Sequence, residues 1–177
     1  MNDDEQLLKR MRQGDCEAAN TLITRYYDDI FRYCLWHTAT RSMAEDATQE
    51  TFLKLIRYCD RYVAKGHFRA FLYRIAINTC IDLGRAKAGT TMPLPEDLEM
   101  VADRNQDFDT LQDTLSLHQM VTTLPEAQQQ LVLLRYLHDL SLREIAEITD
   151  LPLRTVQSRL RAALKKLRKN YEKGVTP

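Results

Sequence analysis

The chain has 177 residues, a formal net charge of zero, and only five glycines and five prolines. Its plentiful Leu, Ala, Arg and Glu favour an all-helical protein of one large or two small domains. No apolar run approaches the ~20 residues that span a bilayer, and residues 1–15 are too polar for a secretory signal. The sequence therefore favours a cytoplasmic protein.

Four cysteines are spread along the chain, and none forms a C-x-x-C pair or stands at ligand-like spacing from a histidine. We therefore expect three or four of them to be small apolar core residues in a reducing compartment. Neither a metal site nor a cofactor is predicted. The four are Cys16, Cys34, Cys59 and Cys80.

The net charge of zero hides a segregation of sign along the chain. Residues 1–50 carry six basic and ten acidic residues, a net of −4, and residues 88–115 carry one and seven, a net of −6. Residues 57–87 carry seven basic and two acidic residues, a net of +5, and residues 151–177 carry eight and one, a net of +7. Two basic blocks separated by an acidic one suggest two nucleic-acid contacts, although solvated helix faces would give the same pattern.

Helical periodicity in the first half predicts long helices at about 16–37, 42–58 and 67–84. In the second of these, Ser42 is a plausible N-cap that forms a capping box with Glu45. Its predicted buried stripe is Ala44, Ala47, Thr51, Phe52, Leu55 and Ile56, and its predicted exposed face is Asp46, Gln49, Glu50, Lys54 and Arg57.

The predicted helix at 67–84 is basic and carries apolar and aromatic side chains on both faces. Phe68, Phe71, Leu72, Ile75 and Thr79 are expected to face inward, and Arg69, Tyr73, Arg74, Ile77, Asn78 and Ile81 to be more exposed. Exposed aromatic groups on a basic helix could stack on unpaired bases. They could equally be core residues seen through an imperfect helical wheel.

Periodicity fails after Gly84, where Gly89, Pro93 and Pro95 precede a run of acidic residues. That composition is typical of a linker. The prediction is two small helical domains, 1–86 and 114–177, joined by a flexible acidic linker over 87–113.

The second domain contains the pattern of a helix-turn-helix. Ser141 and Glu144 form a predicted capping box at the start of a short helix, and Asp150 suits a left-handed turn position. A longer basic helix follows from about Leu153 to Arg168, with Val156, Leu160, Ala163 or Leu164, and Leu167 facing inward. Its predicted outward stripe is Arg154, Ser158, Arg161 and Lys165, flanked by Thr155 and Gln157. Such a helix reads base edges in the major groove. The alternative without a DNA-binding role is an ordinary helical hairpin with a solvated basic face.

Residues 142–167, LREIAEITDLPLRTVQSRLRAALKKL, resemble the region-four helix-turn-helix of bacterial RNA polymerase sigma factors. Residues 44–58, AEDATQETFLKLIRY, and 68–85, FRAFLYRIAINTCIDLGR, resemble region two of the same family. Two helical domains joined by a short linker are similar to the extracytoplasmic-function subgroup of the sigma-70 family.

The resemblance implies a role for each predicted surface. The region-two helix would dock on the clamp helices of the large subunit of core RNA polymerase through Asp46, Gln49, Glu50, Lys54 and Arg57. The next loop and helix would bind the melted minus-ten promoter element through Lys65, His67, Arg69, Tyr73, Arg74 and Asn78. The second domain would bind the minus-thirty-five element through Arg135, Arg154, Thr155, Gln157, Ser158, Arg161 and Lys165. An anti-sigma partner is implied by the resemblance alone.

Two other classes of protein fit the sequence less well. A conventional repressor would bind duplex DNA as a dimer. That class of protein would give no function to the acidic face around Asp46 or to the second basic block. An enzyme is disfavoured because the chain has no Gly-rich phosphate loop, no H-E-x-x-H and no nucleophile motif. Its histidines, His37, His67, His118 and His138, are scattered.

Overall fold

The computed structural model describes residues 3–62, 66–86 and 119–172. The chain divides into two compact units, Met1–Asp97 and Leu98–Pro177. All regular secondary structure in the described residues is helical, which confirms the all-α fold. The predicted linker over 87–113 lies outside the described residues.

The described residues of the first unit form four α-helices and a short 3-10 turn. They are α1 (Asp3–Arg12), α2 (Cys16–His37), α3 (Arg41–Tyr58), the turn Cys59–Arg61, and α4 (Phe68–Ala86). Helix α2 packs against α1, α3 and α4, and α3 also packs against α4. The centre of this unit is therefore apolar, with Leu22, Ile30, Leu55, Phe68 and Leu72 almost fully buried.

The start of α3 differs from the sequence prediction. Thr40, not Ser42, is the N-cap, because its extended backbone places Oγ1 to accept the Met43 N–H at 3.2 Å. Glu45 does not complete a capping box, since its carboxylate instead accepts a 3.0 Å bond from Arg41 Nε. Both Thr and Ser suit a cap, and periodicity alone did not separate the two positions.

Helix α4 buries a wider face than the sequence predicted. Tyr73 is 0% exposed and Ile77 is 8% exposed, so placing them on the outer face was wrong. The reason is that α4 packs against both α2 and α3, and Tyr73 meets Tyr33 of α2 edge-on at 5.8 Å between ring centroids. Burial raises the pKa of the Tyr73 hydroxyl.

Helices of the second unit form the predicted helix-turn-helix and the helix before it. They are α5 (Glu126–Val132), which continues into a π turn (Leu133–Leu137), α6 (Leu142–Thr149) and α7 (Leu153–Glu172). Helix α7 packs against both α5 and α6. The shared core is built from Leu131, Leu134, Leu140, Ile145, Val156 and Ala163.

The predicted signals at both ends of α6 are confirmed. Ser141 Oγ accepts the Glu144 N–H at 3.2 Å, and Glu144 Oε2 accepts the Ser141 N–H at 2.8 Å. Asp150 ends the helix with φ 53°, the left-handed conformation that Asp tolerates better than most residues. This cap and turn fix where α7 begins.

The cysteines are placed as the sequence predicted, with Cys34, Cys59 and Cys80 buried and Cys16 exposed. Cys80 Sγ lies 3.7 Å from Cys34 Sγ inside the first unit.

Within residues 3–62, 66–86 and 119–172, no group of three or more His, Cys, Asp or Glu side chains could hold a metal ion. Over the same residues, no helix is long and apolar enough to cross a membrane.

Candidate nucleic-acid interface

Helix α7 has one buried and one exposed face, as its sequence pattern predicted. Val156, Leu160, Ala163 and Leu167 are buried, whereas Leu164 is 40% exposed, so Ala163 is the inward residue of that pair. The predicted outward stripe is exposed at all four positions, Arg154, Ser158, Arg161 and Lys165. Because α5 and α6 pack against α7, its buried face is fixed and this stripe forms an exposed basic ridge.

The first turn of α7 is fixed by backbone hydrogen bonds. The Pro152 carbonyl accepts the N–H of Thr155 at 2.8 Å and of Val156 at 3.1 Å. Gln157 is exposed, Thr155 is half-buried, and Ser158 Oγ donates to the Thr155 carbonyl at 3.0 Å. Arg154, Gln157 and Arg161 are therefore long polar side chains that face outward from the N-terminal half of α7, where a recognition helix meets base edges.

Arg135 lies in the π turn that precedes α6. Its Nη1 donates to the Leu140 carbonyl at 2.9 Å and lies 3.9 Å from Asp139 Oδ1. The guanidinium thus braces the connection to α6 and retains further N–H donors for a phosphate. The neighbouring Tyr136 is 57% exposed, an exposed aromatic group that the sequence analysis did not single out.

The outer face of α3 combines charged, polar and apolar groups. Asp46 and Gln49 are exposed and Glu50 is half-buried, as expected for the predicted acidic face. Leu53 and Ile56 follow on the same helix and are 47% and 45% exposed. Burial of Ile56 was wrongly predicted, and Leu53 was missed, although its spacing of i+3 and i+4 from Glu50 and Gln49 could have indicated it.

Two basic residues of α3 have different surroundings. Arg57 is largely exposed and lies 3.9 Å from Glu50 Oε1. Lys54 instead reaches α4, where its Nζ lies 3.2 Å from Thr79 Oγ1 and 3.4 Å from Asp82 Oδ2. The ammonium group of Lys54 therefore joins α3 to α4, a contact that sequence reasoning did not predict.

The exposed face of α4 is smaller than predicted. Arg74 and Asn78 are exposed, and Ile81 continues the same face at i+7 from Arg74. Arg69 and His67 are half-buried at the start of the helix. Tyr73 is removed from this surface by its burial, and Lys65 lies outside the described residues.

Comparison with known proteins identifies these two units. Residues 22–90 match the family model described as sigma-70 region 2, and residues 114–167 match the model described as sigma-70, region 4. The first match covers α3 and α4 together with most of α2. The second contains α5, α6 and most of α7.

Relatives and solved structures extend across nearly the whole chain. The chain is 30% identical over 174 residues to the ECF RNA polymerase sigma factor SigW of Bacillus subtilis, covering 92% of this chain and 93% of that one. It is 33% identical over 170 residues to the ECF RNA polymerase sigma-E factor of Haemophilus influenzae, covering 89% of each. Among solved structures, CnrH in complex with the cytosolic domain of CnrY has a TM-score of 0.75 at 20% identity, covering 98% of this chain and 99% of that one.

Region 2 followed by region 4 defines a transcription initiation factor of the sigma-70 family. Within that family, the chain belongs to the extracytoplasmic-function (ECF) group of RNA polymerase sigma factors. As a sigma factor it is not an enzyme: it binds core RNA polymerase and directs promoter recognition and DNA melting when transcription starts.

Proposed function

We propose that α3 docks on the clamp helices of the large subunit of core RNA polymerase. The observation that carries this proposal is the exposed acidic and apolar face formed by Asp46, Gln49, Glu50, Leu53 and Ile56. Exposed apolar side chains beside charged ones are typical of a protein-binding surface. Arg57 lies at the edge of this face, and Lys54 supports it by holding α3 against α4.

The minus-ten element is bound by the exposed face of α4 and by the segment that precedes it. Asn78 offers both a donor and an acceptor to a base edge, and Arg74 offers a cation to the phosphate backbone. Arg69 and His67 extend this surface at the start of α4; Lys65, which the resemblance also assigns to minus-ten binding, lies outside the described residues. Binding of the open strand offsets part of the cost of melting, which is a few kcal/mol for each flipped base.

The minus-thirty-five element is read by the basic ridge of α7. Arg154 and Arg161 have the planar donors that pair with guanine, and Gln157 has the amide that pairs with adenine. Thr155 and Ser158 lie beside them. We assign phosphate contacts to Lys165, one turn beyond Arg161, and to Arg135, which precedes α6. These surfaces are individually small, so attachment of both to polymerase raises their effective concentration at the promoter.

An anti-sigma factor controls access to these surfaces in the cytoplasm. Support comes from solved structures with the same fold, CnrH with the cytosolic domain of CnrY and the sigma factor RpoE with the anti-sigma factor NepR from Bartonella quintana. The second has a TM-score of 0.66 at 15% identity and covers 86% of this chain and 96% of that one. The exposed apolar groups of α3 give such a partner a surface that it would share with polymerase.

Reconstitution with core polymerase tests the docking proposal. The full-length protein is mixed with bacterial core enzyme, and co-migration is measured for the wild type, for Gln49→Ala with Leu53→Ala, and for a control, Gln13→Ala, at an exposed position between α1 and α2. We expect the double variant to lose affinity for core and the control to keep it. Wild-type affinity in the double variant would contradict docking through this face.

A further inference from the structure

Helix α1 makes polar contacts with a part of the chain 47 or more residues away. Arg12 reaches the 3-10 turn that follows α3, where its Nε donates to the Cys59 carbonyl at 2.9 Å. Its Nη2 donates to the same carbonyl and, at 2.5 Å, to the Tyr62 carbonyl. One guanidinium group therefore binds two backbone carbonyls, three residues apart, where the chain leaves α3.

Glu5 holds the chain where it enters α4. Its Oε1 accepts the Gly66 N–H at 2.5 Å and lies 3.5 Å from the Tyr62 hydroxyl. That hydroxyl in turn accepts the His67 N–H at 3.1 Å. Gly66 has φ 76°, a left-handed conformation that glycine adopts without strain, so the carboxylate stabilises a defined turn just before α4.

Helix α1 is itself firmly attached to α2. Asp4 Oδ2 accepts the Tyr26 hydroxyl at 2.6 Å, and Asp4 Oδ1 accepts Arg25 Nη1 at 2.5 Å. The apolar side chains of α1 are also buried, at Leu7, Leu8 and Met11. The Tyr26 ring also packs against Phe68, the first residue of α4, with 5.5 Å between ring centroids. The contacts of Glu5 and Arg12 thus connect the α3–α4 segment to the fixed part of the unit.

We propose that Glu5 and Arg12 are positioning residues for minus-ten recognition. They fix residues 59–62 and 66–67, so that His67 and the exposed side chains of α4 meet the unpaired strand in one orientation. A binding surface held in its bound geometry loses less entropy when it binds. This inference rests on the proposed minus-ten surface, but it adds residues of α1 that touch no DNA.

A promoter library separates positioning from general stability. Holoenzyme assembled from core polymerase and the full-length protein transcribes fragments in which the minus-ten and minus-thirty-five blocks are randomised. Each fragment carries a transcribed barcode that identifies its promoter, and the barcodes in the transcripts are sequenced. The variants are Glu5→Ala, Glu5→Gln and Arg12→Met. The controls are Asp3→Ala and Arg10→Ala, because Asp3 and Arg10 lie on the same helix but contact Arg25 and Asp15 instead.

Enrichment is the frequency of the preferred sequence of a block among transcribed fragments, relative to the starting library. We expect Glu5→Ala and Arg12→Met to reduce minus-ten enrichment by about threefold or more, which is the effect of losing one hydrogen bond. Minus-thirty-five enrichment should be unchanged. Glu5→Gln keeps an Oε1 acceptor and should recover at least half of the loss, and the two controls should match the wild type. Wild-type minus-ten enrichment in Glu5→Ala and Arg12→Met overturns the inference. Equal losses in both blocks also overturn it, since a stability defect would act on both.

Two further variants distinguish failure of the inference from failure of the surface on which it rests. Arg74→Ala and Asn78→Ala alter the proposed minus-ten surface directly. If they reduce minus-ten enrichment while Glu5→Ala and Arg12→Met do not, the positioning role alone is wrong. If Arg74→Ala and Asn78→Ala also leave enrichment unchanged, the minus-ten surface on α4 is wrong, and the positioning role is overturned with it.

Discussion

The ammonium group of Lys54 lies 3.2 Å from the hydroxyl oxygen of Thr79, and this contact joins α3 to α4. Thr79 is buried, and its hydroxyl in turn donates to the Ile75 carbonyl at 2.9 Å. The helix proposed to dock on polymerase is thereby connected to the helix proposed to bind the minus-ten strand. Lys54 consequently has a structural role that its position among the predicted docking residues did not suggest.

Replacing Lys54 should destabilise the first unit. Lys54→Met removes the bond to Thr79 and the partly exposed ion pair with Asp82, so we expect the free energy of unfolding to fall by about 0.5–1 kcal/mol. Denaturant unfolding followed by Trp36 fluorescence measures this unit specifically, because the chain has one tryptophan and it is buried there. Arg57→Met, on the same helix with only a 3.9 Å ion pair, is the control. Equal unfolding energies for both variants would show that the Lys54 contacts contribute nothing.

Asn78→Ala should slow promoter opening without weakening attachment to polymerase. The side chain is exposed on α4, and loss of its hydrogen bonds to an unpaired base should slow open-complex formation by about tenfold, which corresponds to ~1.4 kcal/mol. The rate is measured with a fluorescent base analogue in the minus-ten element. Asn20→Ala removes an exposed asparagine from α2 and should behave as wild type. An unchanged opening rate in Asn78→Ala would exclude this residue from the minus-ten surface.

Substitutions of the two arginines of the α7 ridge should show whether these side chains contact bases or phosphates. Arg154→Ala and Arg161→Ala should each weaken promoter binding by ~1–3 kcal/mol and relax specificity at one position if they pair with guanine. Arg154→Lys and Arg161→Lys keep the charge but lose the bidentate fork. Holoenzyme binding to matched and single-mismatch promoters separates the two cases. Lysine variants that retain full affinity and specificity would indicate phosphate contacts.

Stability should fall on mild acidification because of His37. Burial lowers the pKa of His37 despite the 2.8 Å contact of Nδ1 with the Tyr33 carbonyl, so the folded protein favours the neutral ring. The unfolded chain binds the proton at its ordinary pKa near ~6.5, and stability is therefore lost as the pH falls below that value. The free energies of unfolding of wild type and His37→Asn are measured by circular dichroism from neutral to acidic pH, and the wild type should lose stability relative to His37→Asn as the pH falls. A constant difference would contradict this role.

Local patterns in the sequence predicted the helices well, because caps and apolar spacing act within a few residues. The Ser141–Glu144 capping box and the left-handed Asp150 are examples. Tyr73 and Ile77 were placed wrongly because a helix that packs against two neighbours buries more than one stripe, and a single helical wheel does not record the second neighbour. The contacts of Lys54, Glu5 and Arg12 join residues 25 to 61 positions apart, and no local pattern specifies such pairs.

The π turn at Leu133–Leu137 has a consequence for chain length. Its backbone bonds reach back five or six residues, from His138 N–H to the Leu133 carbonyl at 3.1 Å and from Leu140 N–H to the Leu134 carbonyl at 3.0 Å. A π turn accommodates one more residue than an α-helical turn. A single-residue deletion here would convert it to ordinary helix, whereas the same deletion within α5 would rotate Leu131 away from the core. The π turn is thus a place where the chain length can change by one residue while the recognition helix keeps its packing.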